Sequence, residues 1–293
     1  MAATTAKKIT IIGVDNSQWI VSGAGSGTEG VILDDNPGGL DDEAPIKTLW
    51  SQSVYQDGAT YDGYVVEPLD LVLTFFIFGD KELNRSWADT NSQFRKAMDT
   101  SMGGEVQIVV ETDSGERTLF VRKYQATRST NKKDPHLLKY SKATFTMRAE
   151  VPFWLGETVV STVKTSTATM TANVTVSNPT DRPIWLEWAV TSPGKWILPD
   201  YNFAGGPYAF RKIALPELSA GQDMTIDTHP LHETYIAADG HNIAGRFGGV
   251  DFLHPIPPHT PNTLLPVQVS NGSGTSICQV RMKQYWNLPY GGE

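Results

Sequence analysis

The chain is short of the residues on which cross-linking and much active-site chemistry depend. It has one cysteine in 293 residues, Cys278, so an intrachain disulfide is excluded. That cysteine lies in Ser276-Ile-Cys-Gln-Val-Arg-Met282, an alternating segment that buries every second side chain as a strand, and it is expected to be a core thiol. Cationic charge is scarce too: 24 Lys and Arg face 32 Asp and Glu, a formal net charge of −8. Such a balance offers no electrostatic footprint for nucleic acid or an anionic membrane surface, and no direct nucleic-acid contact is expected. The longest apolar stretch, Leu71 to Phe78, falls far below the roughly 20 residues of a membrane-spanning helix, so no membrane insertion is expected. The opening Met1-Ala-Ala-Thr-Thr-Ala-Lys-Lys, followed by Ile9-Thr-Ile-Ile, lacks the apolar region of a secretion signal. The chain is therefore expected to be made and folded in a cytoplasm.

Motifs that carry catalysis are thin. Gly25-Ser-Gly27-Thr-Glu-Gly30 matches the dinucleotide fingerprint in spacing, but Val31-Ile-Leu-Asp-Asp-Asn-Pro37 reads as strand and turn where a helix would have to open toward the pyrophosphate. Ser26 lacks the wider Gly-x-Ser-x-Gly elbow. His229-Pro-Leu-His232-Glu233 gathers two imidazoles and a carboxylate, yet the histidines are three apart rather than four and Pro230 breaks a helix under way. Glu187, Asp223, Asp227, Glu233 and Asp239 are carboxylates on a strand-rich segment, and spacing pairs none of them for glycoside hydrolysis. The acidic run Asp34-Asp35 through Asp41-Asp42-Glu43 lacks the ligand order of a calcium loop and reads as solvated, with contact to a basic partner as the alternative. No catalytic, cofactor-binding or metal-ligating residue is assigned, no cofactor is expected, and the chain is read as a non-enzyme.

What the sequence does hold is β-structure. Short β-branched and aromatic runs recur between Gly, Pro, Asn and Asp clusters. In the first half they fall at Lys8 to Ile12, Trp19 to Val21, Val31 to Leu33, Asp70 to Phe78, Val106 to Glu111, Thr118 to Gln125 and Ala143 to Val151. Asp113-Ser-Gly-Glu116 supplies a tight turn for a hairpin over Gln107 to Tyr124. One helix is expected from Lys81 to Thr100, where Leu83, Trp87, Phe94, Ala97 and Met98 share a face and Gly103-Gly104 ends the run. The polar, Ser/Thr-rich stretch around Gly156 to Thr171 marks a boundary, which gives a first domain at 1–157, a linker at 158–171 and a second domain at 172–293.

The second half is almost free of helix signal. Strands are expected at Ala172 to Val176, Ile184 to Val190, Trp196 to Leu198, Arg211 to Leu215, Met224 to Asp227, Leu264 to Val269 and Ser276 to Tyr285, an antiparallel sandwich of the jelly-roll kind. Trp185 and Trp188, three apart on a strand, face opposite ways, so one of them lies outside the core, where an indole suits a protein interface or a sugar.

Two ordered sets of motifs resemble the distal tail proteins of long-tailed phages that infect actinobacteria. The first is the Asp57-Gly58 turn and the strand after it, the run Leu69 to Phe78, the helix Lys81 to Thr100, a Gly-Glu-Val-Gln strand and a hairpin ending in Leu119-Phe-Val-Arg122. The second is Val174-Thr-Val-Ser-Asn-Pro-Thr-Asp-Arg-Pro183, then Leu218-Ser-Ala-Gly-Gln-Asp-Met-Thr-Ile-Asp227, then Val280-Arg-Met-Lys-Gln-Tyr-Trp286. The resemblance implies a mainly β fold: a tail-tube-related first domain of sandwich or split-barrel type with one helix, and a galectin-like jelly-roll second domain. It implies a structural virion protein at the tail tip, a homo-oligomeric ring of six that joins the tail tube protein to the tail-associated hub protein around the end of the tape-measure protein. The first domain would form the ring wall, the second would project outward, and receptor-binding proteins or a cell-surface glycan would be further partners. The loop His254 to Asn262 is longer and more proline-rich than the family's turn, so the family's contacts there are not carried over. A carbohydrate-binding β-sandwich module is the alternative function.

Ring assembly by a net-negative chain needs local compensation. Lys132-Lys133, Arg117, Arg122 and Arg128 are expected to face acidic loops, and the loop Asn36 to Tyr64 is the segment expected to reach a neighbour.

Overall fold

The computed structural model describes residues 6–79, 84–232 and 234–292. The chain is mainly β and divides into two compact units, Met1–Gly156 with Trp286–Gly292, and Glu157–Tyr285. The first unit runs through β1 (Lys8–Ile12), β2 (Gln18–Ser22), β3 (Val31–Leu33), β4 (Ile46–Ser51), β5 (Thr60–Val66), β6 (Leu69–Phe78), helix α1 (Trp87–Ala97), β7 (Val106–Thr112), β8 (Gly115–Lys123), β9 (Arg128–Ser129), the short helix α2 (Pro135–Leu138), β10 (Tyr140–Ala149) and the start of β11 (Trp154–Lys164).

The central strand of this unit is β6. Leu69, Leu71, Leu73, Phe75 and Ile77 are buried, with Asp70 and Val72 exposed between them, the period-2 pattern of a strand with one face on a core. Antiparallel β10 covers one edge from Tyr140↔Phe78 to Ala149↔Leu69. The other edge is covered by β3 and by the bridge from Gly38 to Val72. Gly39, at φ +80°, lies so close that a Cβ there would stand 2.3 Å from the Asp70 carbonyl oxygen, a clearance that only glycine gives. The long apolar strand is thus paired on both sides, the outcome expected for a sequence that would aggregate as a free edge. On the far side of the core, β1 pairs with β2 and β7, and β7 with β8 through the expected hairpin, closed at Thr112↔Gly115.

Helix α1 plugs the space between these sheets. Its ring at Phe94 meets Trp19, Phe75 and Phe145 edge-on at 5.2, 5.0 and 5.6 Å, the preferred geometry for aromatic pairs. The helix is shorter than its sequence suggests. Ser86 caps it, its side chain accepting from the Asp89 amide, and Met98 closes it. Lys81 and Leu83 of the expected range lie outside the described residues.

The second unit takes up the rest of β11 and continues through β12 (Met170–Asn178), β13 (Leu186–Val190), β14 (Lys195–Pro199), β15 (Lys212–Ala214), β16 (Met224–Asp227), β17 (Thr234–Ala237), β18 (Thr260–Ser270) and β19 (Ile277–Trp286). Two antiparallel layers, β12-β18-β14-β15 and β17-β16-β13-β19, enclose one core that contains Trp188, Trp196, Ile226, Val267 and Val280. Cys278 is fully buried in it.

The motif Asn178-Pro-Thr-Asp-Arg-Pro183 is a buried turn. The Asn178 amide donates to the carbonyls of Arg182 at 2.7 Å and Ile256 at 3.0 Å, and its oxygen accepts from the Thr180 amide and hydroxyl at 2.9 and 2.7 Å. Both side chains are fully buried, so the turn meets its own hydrogen-bonding needs and ties the proline-rich segment at Ile256 to the sandwich.

The stretch expected as a linker at 158–171 is mostly strand. Val159 and Val163 of β11 pack against the second core, Thr165 donates its amide to the Ser276 carbonyl at 2.8 Å, and β12 begins at Met170. Its Ser, Thr and Val side chains are β-formers as well as linker residues, and burial of the valines decides between the two. The end of the chain, Trp286–Gly292, belongs to the first unit rather than the second.

Candidate interaction surfaces

The segment Asn36 to Tyr64 is not a loop throughout. It contains β4 and most of β5, an antiparallel ribbon that pairs from Ile46↔Val66 to Ser51↔Thr60 and with no other strand among the described residues. A bulge between Leu49 and Trp50 falls opposite Gly63 at φ +130°, a backbone conformation that glycine tolerates. Alternation then puts Ile46, Thr48 and Trp50 of one strand and Val66, Tyr64 and Tyr61 of the other on a common face. Trp50 and Tyr61 meet edge-on at 5.2 Å. Ile46, Trp50, Tyr61 and Tyr64 are 60, 59, 51 and 51% exposed. Two-stranded ribbons are marginal in water, and this one presents an apolar face left exposed by the described residues.

The acidic run at the root of this ribbon is divided. Asp34 is held by Lys142 at 2.6 Å and Asp41 by Lys7 at 2.7 Å. The hydrogen bond from Lys142 keeps the Asp34 carboxyl below its ordinary range. Asp35, Asp42 and Glu43 are exposed and have no ion pair among the described residues.

The cations expected to compensate them also separate into two groups. Arg117 is buried, its guanidinium 3.9 Å from the centre of the Trp286 ring and donating to the Leu288 carbonyl at 2.9 Å. Arg122 is taken by Glu150 at 2.9 Å and Glu105 at 3.4 Å. Of these two, expected to face acidic loops, Arg122 does meet acids, those of its own chain, whereas Arg117 is turned into the core against Trp286. Arg117 sits on the inward face of β8 with Leu119 and Val121, a position that the strand's own alternation dictates. Lys132, Lys133 and Arg128 remain exposed.

In the second unit the candidate catalytic groups are spent on structure. Glu187 and Asp227 stand opposite each other on β13 and β16, but Glu187 is 2.5 Å from Lys283 and Asp227 caps the turn after β16. Asp227 accepts from the His229 amide at 2.9 Å and lies 3.1 Å from His232 Nδ1. The His229 ring, desolvated and 4.8 Å from His232, is held below its usual pKa. Asp223 accepts from the Ser192 amide and hydroxyl, and Asp239 from the His241 amide. Glu233 lies outside the described residues. Among the described residues no group of three His, Cys, Asp or Glu side chains is placed to hold a metal ion. The glycine motif at Gly25 to Gly30 is a series of turns leading into β3 and opens no helix. Burial pushes the Cys278 thiol up to about 12, which leaves it protonated and unreactive.

Two exposed aromatic positions escape a reading of periodicity. Tyr208 and Phe210 lie in the loop between β14 and β15, and Phe210 is 76% exposed. The two ends of this loop are tied together. Asp200 is buried, pairs with Arg211, and accepts from the amides of Leu253 and His254. Trp185 lies partly exposed, edge-on to His229, while Trp188 is buried, the opposed arrangement that their spacing requires.

No protein-family model matches the chain. Minor tail protein Gp27 of Mycobacterium phage D29 is 25% identical to it over 91% of this chain and 94% of that protein. Among solved structures, the Dit (gp 19.1) protein of SPP1, described as a paradigm of the hub adsorption apparatus in phages infecting Gram-positive bacteria, superposes with a TM-score of 0.59 at 13% identity, over 94% of this chain and 98% of that one. A chain of the phage P2 baseplate in its activated conformation with Ca superposes with a TM-score of 0.53 at 10% identity, over 96% and 98%. Along nearly its whole length the chain thus resembles a phage minor tail protein in sequence and the Dit hub protein in fold, the relationship that its distal-tail-protein motifs imply.

Proposed function

We propose that the chain is a non-enzymatic structural protein of a bacteriophage virion. It assembles as a ring of six at the distal end of the tail, where it joins the tail tube to the baseplate hub. The observation that carries this reading is the unpartnered apolar face of the β4–β5 ribbon in a fold whose other long apolar strand, β6, is covered on both edges. A head-to-tail contact repeated by a closing rotation uses two different patches of one chain, and a projecting ribbon is a suitable donor for the next copy. The similarity to a minor tail protein and to hub and baseplate chains supports the same place in the virion. The partners are then further copies of the chain, the tail tube above, the tail-associated hub protein below and the end of the tape-measure protein within, with assembly in the host cytoplasm. Light scattering with negative-stain microscopy over a concentration series tests the ring. A species of about 193 kDa, six times the 32.1 kDa chain, with a central hole supports it. A strict monomer at every concentration contradicts self-closure.

A second role, contact with a cell-surface glycan through the second unit, is favoured by exposed Tyr208 and Phe210 on a loop whose ends are joined by the Asp200–Arg211 pair. Exposed rings held in one geometry lose little entropy on stacking against a sugar face. A glycan screen with Phe210→Ala as control tests it, and equal binding by the variant contradicts it.

A further inference from the structure

The first unit carries a cleft whose chemistry the ring reading has not used. Phe76, Thr130, Asn131, Lys132, Lys133, Leu138, Tyr140 and Lys142 enclose about 360 Å³. Phe76 and Tyr140 stack at 5.8 Å and 20°. Leu137 and Leu138, on α2 at its rim, are 82 and 51% exposed. Among the described residues no carboxylate lines the cleft, and the neighbouring Asp134 is engaged as the cap of α2. Lys142 shows the kind of contact it makes: its Nζ lies 4.8 Å over the Phe76 ring and 2.6 Å from Asp34. Lys132 and Lys133 have no hydrogen bond or ion pair among the described residues. Two uncompensated cations beside exposed leucines are notable in a chain of net charge −8.

We infer that this cleft is the acceptor for the root of the β4–β5 ribbon of a second copy, with Asp42 and Glu43 of that copy on Lys132 and Lys133 and its apolar ribbon face against Leu137, Leu138 and Tyr140. The inference rests on the ring reading and names the surface that the ribbon meets. Charge complementarity selects the occupant: Asp42 and Glu43 are exposed, unpaired among the described residues, and followed at once by β4, whose Ile46 and Trp50 head the apolar face. The donor thus presents acid and then apolar surface over a few residues. The acceptor presents cation and then apolar surface over Lys132 to Leu138. The ribbon of the same copy does not fill the cleft, because none of its residues lines it and its apolar face stands open. One chain therefore carries both halves of a heterologous contact, the condition for a closed ring.

The test compares the wild-type chain, the cleft reversal Lys132→Glu/Lys133→Glu, the root reversal Asp42→Lys/Glu43→Lys and the fourfold swap, by light scattering over a concentration series. All four substituted positions are on exposed side chains, so an unchanged Tm checks that each variant folds. Each reversal alone is expected to raise the concentration for half assembly at least roughly tenfold, since like charges face each other, and the swap to return it to within about threefold. Rings whose midpoint ignores the cleft reversal, or a folded swap that fails to recover, overturn the cleft while leaving the ring reading intact. A wild type that stays monomeric removes the ring reading, and the contact is then read directly. An equimolar mixture of ¹⁴N- and ¹⁵N-labelled chains is treated with a zero-length carbodiimide, and the products are analysed by mass spectrometry. A mixed-isotope link from Lys132 or Lys133 to Asp42 or Glu43 supports the contact, and its absence overturns it.

Discussion

Strand β6 and the β4–β5 ribbon are both apolar, lie within the same unit and are separated by two residues, yet they end in opposite environments. Phe75 and Ile77 of β6 are fully buried, and its backbone is paired on both edges. Trp50 and Tyr61 of the ribbon are more than half exposed, and among the described residues its strands pair with no other strand. Both segments carry large apolar side chains, β6 more densely than the ribbon. What separates them is whether the rest of the chain brings a surface to them: α1 and β10 come to β6, and no other element among the described residues pairs with the ribbon. Apolar surface that a chain leaves open at a pinned position, rather than scattered singly, is surface reserved for another molecule.

The comparison can be broken at either end. The largest effect is expected at the core: Phe94→Ala removes the ring on which Trp19, Phe75 and Phe145 converge, and should cost about 4 kcal/mol in denaturant unfolding monitored by tryptophan fluorescence. Next is a polar counterpart in the second unit. Asn178→Ala strips one of the donors from the carbonyls of Arg182 and Ile256 and removes the acceptor of the buried Thr180 amide, and should cost about 3 kcal/mol by the same measurement. A smaller loss is expected from Trp286→Ala, which strips the stacking partner from buried Arg117 and should cost about 2–3 kcal/mol. The smallest effect is kinetic. Cys278 in the folded protein at pH 8 should react with a thiol-specific reagent no faster than the rate of opening, and rapid labelling without denaturant would place that core in exchange with solvent.

Much of the fold was legible wherever one face of a strand is buried. The expected limits of β1, β3 and β16 coincide with the observed ones, and β6, β7 and β19 differ by a residue or two, because alternation against a core leaves a period-2 signature. The same alternation put Arg117 on the inner face of β8, a signal outweighed in the sequence by the habit of arginine for the surface. The ribbon was poorly legible for the opposite reason. Ile46-Lys-Thr-Leu-Trp-Ser51 has no polar face and no buried face, so it carries no period, and only the Asp57-Gly58 turn and the β-branched and aromatic content on either side mark it. The polar turn at Asn178 was visible as a motif but not as a mechanism, since its partner carbonyl at Ile256 lies 78 residues away. Strand β17 gave no alternation to read, because its solvent-facing position is the apolar Ile236, 46% exposed between buried Tyr235 and Ala237.

The central claim is that the ribbon face serves assembly and not folding. The most direct measurement is paired: thermal unfolding and light scattering of the chain carrying Trp50→Ser, Tyr61→Ser and Tyr64→Ser, beside the wild type. The account predicts a stability change within about 1 kcal/mol, as expected for exposed positions, together with loss of the ring. Assembly at the wild-type concentration, or a collapse of stability that shows the ribbon to be part of the folded core, would contradict it.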